Sequence, residues 1–174
     1  MRSKKYNEMF QNFYDHGKMD STYKGVFLYA LTDVGRYGDK NLIGKEFLQQ
    51  EGNKIKMQLD FIAIRFARYY WEIYNSGIRH MPERMADIDP QRDNINIIKI
   101  IKNETEKHNT IPDLQKLASS NMETFRKNVI AKTIRNEVLN NLLTDLNGLY
   151  EKNPRQNSIT FDIELVEFLK NKVL

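Results

Sequence analysis

The apolar residues of this chain fall mostly at helical spacing, and one stretch carries more aromatics than any other. From Leu59 to Met81 the sequence reads LDFIAIRFARYYWEIYNSGIRHM. At about 100° per residue, Leu59, Ile62, Ala63, Phe66, Tyr69, Tyr70, Ile73 and Tyr74 lie on one broad arc, with Ile64 and Trp71 at its margins. Arg65, Arg68 and Glu72, with Phe61 beside them, form the remaining narrow strip. A helix this apolar must be covered on most sides, so other helices are expected to pack around it. Asp60 is placed to cap it, Arg68 and Glu72 are spaced to pair, and Gly77 is placed to end it.

Tyr6, Met9, Phe10 and Phe13 predict a helix over residues 3–16, stopped by Gly17. Asp20 or Ser21 then caps a second helix, YKGVFLYALTDV, with Tyr23, Val26, Phe27, Ala30 and Leu31 on one face. Gly25 inside it costs about 1 kcal/mol relative to alanine, which a close helix crossing would explain. Residues 45–59 break the helical period. Ile55, Met57 and Leu59 alternate with Lys54, Lys56 and Gln58, which with KEFLQQ and the intervening EGN predicts a hairpin with a Gly-Asn turn. Lys54 and Lys56 would project together, either guarding a solvated edge strand or contacting phosphates as a wing.

HMPERMADIDPQRDN follows the central helix with two prolines and many charges, a hinge over residues 82–93. Next comes a helix over 95–109 with Ile97, Ile98 and Ile101 inward, then PDLQKLASS opened by Thr110 and Pro112. Ser120 and Glu123 form a capping-box pair for METFRKNVIAKTI, and Asn136 starts a separate helix that buries Val138, Leu139, Leu142, Leu143 and Leu146. EKNPRQN punctuates, SITF is extended, and Asp162 caps the amphipathic IELVEFLKNKVL. The whole predicts a mainly α fold: a helical bundle of about seven helices with one small β-hairpin and a helix-turn-helix or winged-helix-like C-terminal half. Two organisations fit, an N-terminal lobe 1–81 hinged to a C-terminal lobe 94–174, or one compact domain.

Composition changes this picture little. At 174 residues, 40% hydrophobic and 29% charged, the chain belongs to the soluble globular class. No apolar run nears the roughly eighteen residues of a spanning helix, and MRSKKYNEMF lacks the apolar core of a secretory signal. The absence of cysteine excludes disulfides and thiolate metal sites and fits a cytoplasmic protein. The net charge of +4 resides in residues 1–81, with 13 Lys and Arg against 9 Asp and Glu; residues 82–174 balance at 14 each. Such a bias permits phosphate contacts without requiring them.

Catalytic chemistry is not signalled. His16, His80 and His108 have no second ligand at metal spacing on a shared helix face, so no metal or cofactor is expected. There is no Gly-rich phosphate loop, no GxSxG and no cysteine nucleophile. IPDLQK superficially opens a PD…(D/E)xK nuclease motif, but Pro112, Asp113 and Lys116 share one short helix, whereas metal-dependent cleavage needs carboxylates converging from separate elements. The suggestive stretch is 111–135: a short helix, a tight turn and a longer helix bearing Arg126, Lys127, Lys132 and Arg135, the order of a helix-turn-helix. Against it, the Ser-Ser-Asn turn lacks glycine, and Phe125, Val129 and Ile130 must serve a core. Arg65, Arg68 and Arg79 make a second candidate set, with tyrosine or tryptophan to stack on bases.

FYDHGKMDSTYKGVFLYALTDVGRYGDK, LDFIAIRFARYYWEI and KNVIAKTIRNEVLNNLLTDLNGLY together resemble the leading helical region of prokaryotic HNH endonucleases of the restriction or defence type. The resemblance covers nearly the whole chain but not the catalytic unit: there is no cysteine and no DH…N…H series. Leu174 falls about where it would place the start of an HNH module, so it implies an accessory half for recognition, positioning or dimerisation. The expected function is a DNA-binding domain associated with such an endonuclease. It would contact duplex DNA through Lys54, Lys56, Arg65, Arg68, Arg126, Lys127, Lys132 and Arg135, with a nuclease module or a second copy as partner. The alternatives are a helical protein-interaction or dimerisation module without nucleic-acid binding, and a small-molecule sensor with a pocket of Tyr69, Tyr70 and Trp71.

Overall fold

The computed structural model describes residues 2–16, 23–76, 96–142 and 148–172. Among them are seven α-helices and four strands. Helices α1 (Arg2–His16) and α2 (Tyr23–Val34) precede a 3₁₀ turn (Lys45–Phe47) and the hairpin of β1 (Leu48–Glu51) and β2 (Lys54–Gln58). Helix α3 (Leu59–Ser76) leads to α4 (Asn96–Thr105), α5 (Leu114–Ala118) and α6 (Glu123–Val129). Without a break, α6 becomes a π-helix (Ile130–Leu142); then follow β3 (Glu151–Asn153), β4 (Ser158–Asp162) and α7 (Ile163–Lys172). No helix among the described residues is long and apolar enough to cross a membrane.

The apolar stretch predicted to be central is central. Helix α3 packs against α2, α4, α5, α6 and the π-helix. It buries Leu59, every residue from Phe61 to Ala67, Tyr70, Trp71 and Ile73. The Trp71 ring lies 5.6 Å from Phe125 and 5.8 Å from His108. Phe61 and Arg65, read from sequence as part of the polar strip, are instead covered by the loop that enters the hairpin. Gly44 there sits so close that a Cβ would lie 3.0 Å from Ile64 Cδ1.

The hairpin is present, and it is half of a larger sheet. The strand order is β1-β2-β4-β3, with all pairs antiparallel. Pairing runs from Lys54 opposite Asp162 to Gln58 opposite Ser158. Strand β2 is therefore internal, which corrects the edge-strand reading. Ile55, Met57, Ile159 and Phe161 form the covered face. One cluster of buried side chains extends from Tyr6 to Leu169, so residues before and after the proposed hinge share a core and a sheet. The hinge itself, with Gly17, Asp20, Ser21 and Gly77, lies outside the described residues.

The helix expected to begin at Asn136 is instead the continuation of α6. Its buried pairs are Phe125 and Arg126, Val129 and Ile130, Thr133 and Ile134, Val138 and Leu139. At about 100° per residue, Leu139 would face away from Ile130, nine positions earlier. Wider turns keep both in the core, which gives a physical reason for an i→i+5 ladder that is rare at this length. Polar bonds fasten the segment. The Glu137 carboxylate accepts from the Tyr23 hydroxyl at 2.6 Å and from the Asn96 amide. Asn136 Nδ2 donates to the Ala131 carbonyl at 3.0 Å.

Three cap expectations change. Asp60 lies inside the first turn of α3, which begins at Leu59, and its Oδ1 accepts from Arg126 Nε. Asp113, not Pro112, marks the start of α5, and its Oδ1 accepts from the Lys116 amide at 2.7 Å. The Ser120–Glu123 capping box does not form: Ser120–Met122 make a 3₁₀ turn, and Met122 holds the N-cap position of α6 without a side-chain bond. Gly25 faces open space, so no helix crossing explains it; the close approach is at Gly35, where a Cβ would lie 3.0 Å from the Lys170 amide nitrogen.

Candidate nucleic-acid interface

The eight cations singled out in the sequence occupy three different environments. Two are interior. Arg65 is 1% exposed; its Nε donates to Asp33 Oδ2 at 2.8 Å, and its Nη atoms donate to the carbonyls of Phe61 and Ile43 at 3.0 and 3.1 Å. Its guanidinium lies 3.5 Å above the Phe61 ring centre. Burial pulls its pKa down, and Asp33 opposes that shift. Arg126, 5% exposed, donates to Asp60 Oδ1 at 2.8 Å and to the carbonyls of Leu117 and Ser119 at 2.8 and 2.6 Å. It ties α6 to the end of α5 and the start of α3. Both arginines were expected on a phosphate; the structure spends them on carboxylates and carbonyls inside the fold.

The second environment is paired surface. Lys54 Nζ lies 2.9 Å from Glu151 Oε1, which raises the lysine's pKa, and Lys56 Nζ lies 3.8 Å from Glu51. Asp162 stands opposite Lys54 across β4. Three carboxylates around two ammonium groups leave this sheet face without the positive potential a phosphate-contacting wing needs. Arg68 pairs with Glu72 at 2.7 Å, as its spacing predicted. Arg79 lies outside the described residues.

The third environment is an exposed stripe along α6 and the π-helix: Glu123, Thr124, Lys127, Asn128, Ala131, Lys132, Arg135 and Asn136. Lys127 pairs with Glu123 at 2.6 Å and lowers its pKa. Beyond Glu123 the stripe carries no carboxylate, because Glu137 is bonded to Tyr23 and Asn96. The helix–turn–helix order exists as α5, the 3₁₀ turn and α6, followed by the β3–β4 hairpin. The first turns of α6, however, are committed to the core through Phe125, Arg126 and Val129.

At its far end the stripe meets the hairpin. Arg135 Nη2 donates to the Pro154 carbonyl at 3.0 Å. Arg135, Asn136, Leu139 and Leu59 face Lys152, Asn153, Pro154 and Ser158 across a groove of about 260 Å³. Arg155 is exposed on the turn of the hairpin. The reading of EKNPRQN as mere punctuation missed these residues, although its two cations and three amides against one carboxylate were a signal.

The other expected sites do not assemble. Tyr70 packs on Tyr23 and Phe66, Trp71 packs on Phe125, and Tyr69 is 40% exposed, so the three do not face one pocket. Asp113 is occupied as a cap. Among the described residues no group of three His, Cys, Asp or Glu side chains could hold a metal ion. No protein-family model, curated protein sequence or solved structure matches this chain.

Proposed function

We propose that the chain is a DNA-binding module that docks duplex DNA against the exposed stripe of α6 and the π-helix. The observation that carries this reading is the run of Lys127, Lys132 and Arg135 with Thr124 and Asn128, which among the described residues has no exposed carboxylate after Glu123. Such cations neutralise phosphates and release counterions, and the amide of Asn128 carries the paired donor and acceptor that suit an adenine edge. The stretches that resemble the leading region of HNH endonucleases support the further reading that it serves a nuclease module as a recognition or positioning element.

Fluorescence anisotropy with duplex DNA across a salt series tests this. Affinity should fall as salt rises, and Lys132→Ala should weaken binding uniformly and lower the salt slope by about one. Lys54→Ala and Lys56→Ala should leave the slope unchanged. An absence of binding at low salt, or insensitivity to salt, rejects the reading. One observation favours a protein-interaction module instead: among the described residues Tyr29 and Tyr69 are the large hydrophobic residues left exposed, at 51% and 40%. That alternative predicts a concentration-dependent mass in ultracentrifugation without DNA affinity.

A further inference from the structure

The turn that joins β3 to β4 holds out an arginine that the fold does not use. Pro154–Gln156 make a 3₁₀ turn, and Asn157 closes it in the left-handed region at φ 49°, which asparagine tolerates. All four residues are exposed. Pro154 has its own φ fixed by its ring, and the turn is bonded to the body of the protein at two points. The Asn157 carbonyl accepts from the Leu59 amide at 2.8 Å, at the start of α3. The Pro154 carbonyl accepts from Arg135 Nη2 at 3.0 Å, at the end of the exposed stripe. Behind the turn, Asn153 Nδ2 donates to Thr160 Oγ1 at 2.7 Å and ties the two strands together. Arg155 is therefore presented from a braced loop. Arg36, Arg65, Arg68 and Arg126 each pair with a carboxylate and Arg135 donates to a carbonyl, whereas Arg155 has no partner among the described residues.

The position of this turn follows from the stripe. Thr124 to Arg135 measures at most about 16 Å along the helix axis. The major groove is about 12 Å wide, so a stripe seated in it puts Arg135 at the groove's edge. The turn bonded to Arg135 stands just beyond that edge, where the sugar-phosphate rim gives way to the minor groove. An unpaired guanidinium suits that place, because a minor groove narrowed by A·T base pairs concentrates negative potential and attracts arginine. We propose that the Pro154–Asn157 turn enters the minor groove next to the stripe and that Arg155 selects A·T-rich sequence there. This inference rests on the DNA-binding reading above and gives that reading a sequence preference.

The test measures anisotropy of the full chain with two duplexes that share a central segment and differ in A·T-rich or G·C-rich flanks. Wild type should bind the A·T-flanked duplex about fivefold tighter or more. Arg155→Ala should erase that preference, and Lys132→Ala should weaken both duplexes alike and keep it. Arg155→Lys keeps the charge but replaces the flat, weakly hydrated guanidinium with a strongly hydrated ammonium, so it should hold the salt slope and lose most of the preference. Arg155 is exposed and unbonded among the described residues, so both of its variants should melt as wild type does. Equal wild-type affinity for the two duplexes overturns the proposal. So does Arg155→Ala that weakens both duplexes equally, which would place the side chain on a phosphate, or that binds both as wild type does. In each of these cases a loss of affinity in Lys132→Ala leaves the DNA reading standing. If wild type binds neither duplex at low salt, the DNA reading falls and this inference with it.

Discussion

Arg65 and Arg68 lie three residues apart on one helix, yet the first is sealed inside the fold and the second reaches water. Sequence alone offers both as candidates for a phosphate. What separates them is the loop around Ile43 and Gly44, whose path depends on packing far from any local pattern. Removing one partner of a buried pair leaves an uncompensated charge. Arg65→Ala and Arg126→Ala should therefore each lower stability by about 3–5 kcal/mol in chemical denaturation, while the folded fraction keeps the wild-type salt slope for DNA. A second prediction concerns alkaline pH. Burial and the bond to Glu137 push the Tyr23 phenol far above its ordinary 10.0, and burial pushes Tyr150 up to about 12. In the unfolded chain both would ionise near 10.0, so above that pH the unfolded state sheds protons that the folded state keeps. The contribution of these two tyrosines to stability should be flat below pH 10 and decline above it, with the Tyr150 share of the decline ending at about 12. Tyr23→Phe should flatten that decline while costing about 1.5–3 kcal/mol at neutral pH through the lost hydrogen bond, as read from urea titrations on either side of pH 10.

Element boundaries were legible wherever the local period was strong. The apolar spacing of residues 23–34 and 59–76 gave α2 and α3, and the alternation over 54–58 gave β2. Strand β3 was not legible, because Glu151–Asn153 is short and polar and exists through its pairing with β4. The unbroken helix from Glu123 to Leu142 was not legible either, because a fixed 100° period puts Leu139 out of phase and suggests a new start. The two glycines make the element scale testable. Gly25 lies in α2 with nothing near its missing Cβ, so Gly25→Ala should stabilise by about 0.5–1 kcal/mol through helix propensity. Gly44 has φ +82° and Ile64 Cδ1 in the way, so Gly44→Ala should cost about 1–3 kcal/mol. Melting temperatures of the two variants should move in opposite directions. The candidate site divides in the same way: Lys127, Lys132 and Arg135 could be named from their helix, whereas the groove where Arg135 meets the hairpin exists only because residues 151–153 and 54–58 pair with 158–162.

That long-range pairing sets how the molecule unfolds. Two lobes joined by a hinge would lose structure in two steps, each with its own core. The observed chain instead closes a sheet between residues 54–58 and 158–162, and it buries α3 against α2 on one side of the sequence and α4, α5 and α6 on the other. Neither half can leave without exposing the apolar surface of α3, so the two should unfold together. Trp71, the single tryptophan, reports on this junction because its ring packs on Phe125 of α6 and on His108. Its fluorescence and far-ultraviolet circular dichroism should therefore give coincident urea transitions with one midpoint. A fluorescence change that clearly precedes the loss of helix would mean that α3 and α6 part while the rest holds, and the single-core reading would fail. If the stripe binds duplex DNA as proposed, DNA at a hundredfold excess over its Kd should shift both transitions by the same amount, about 2.7 kcal/mol, because the helix that bears the stripe cannot unfold apart from the core beneath it.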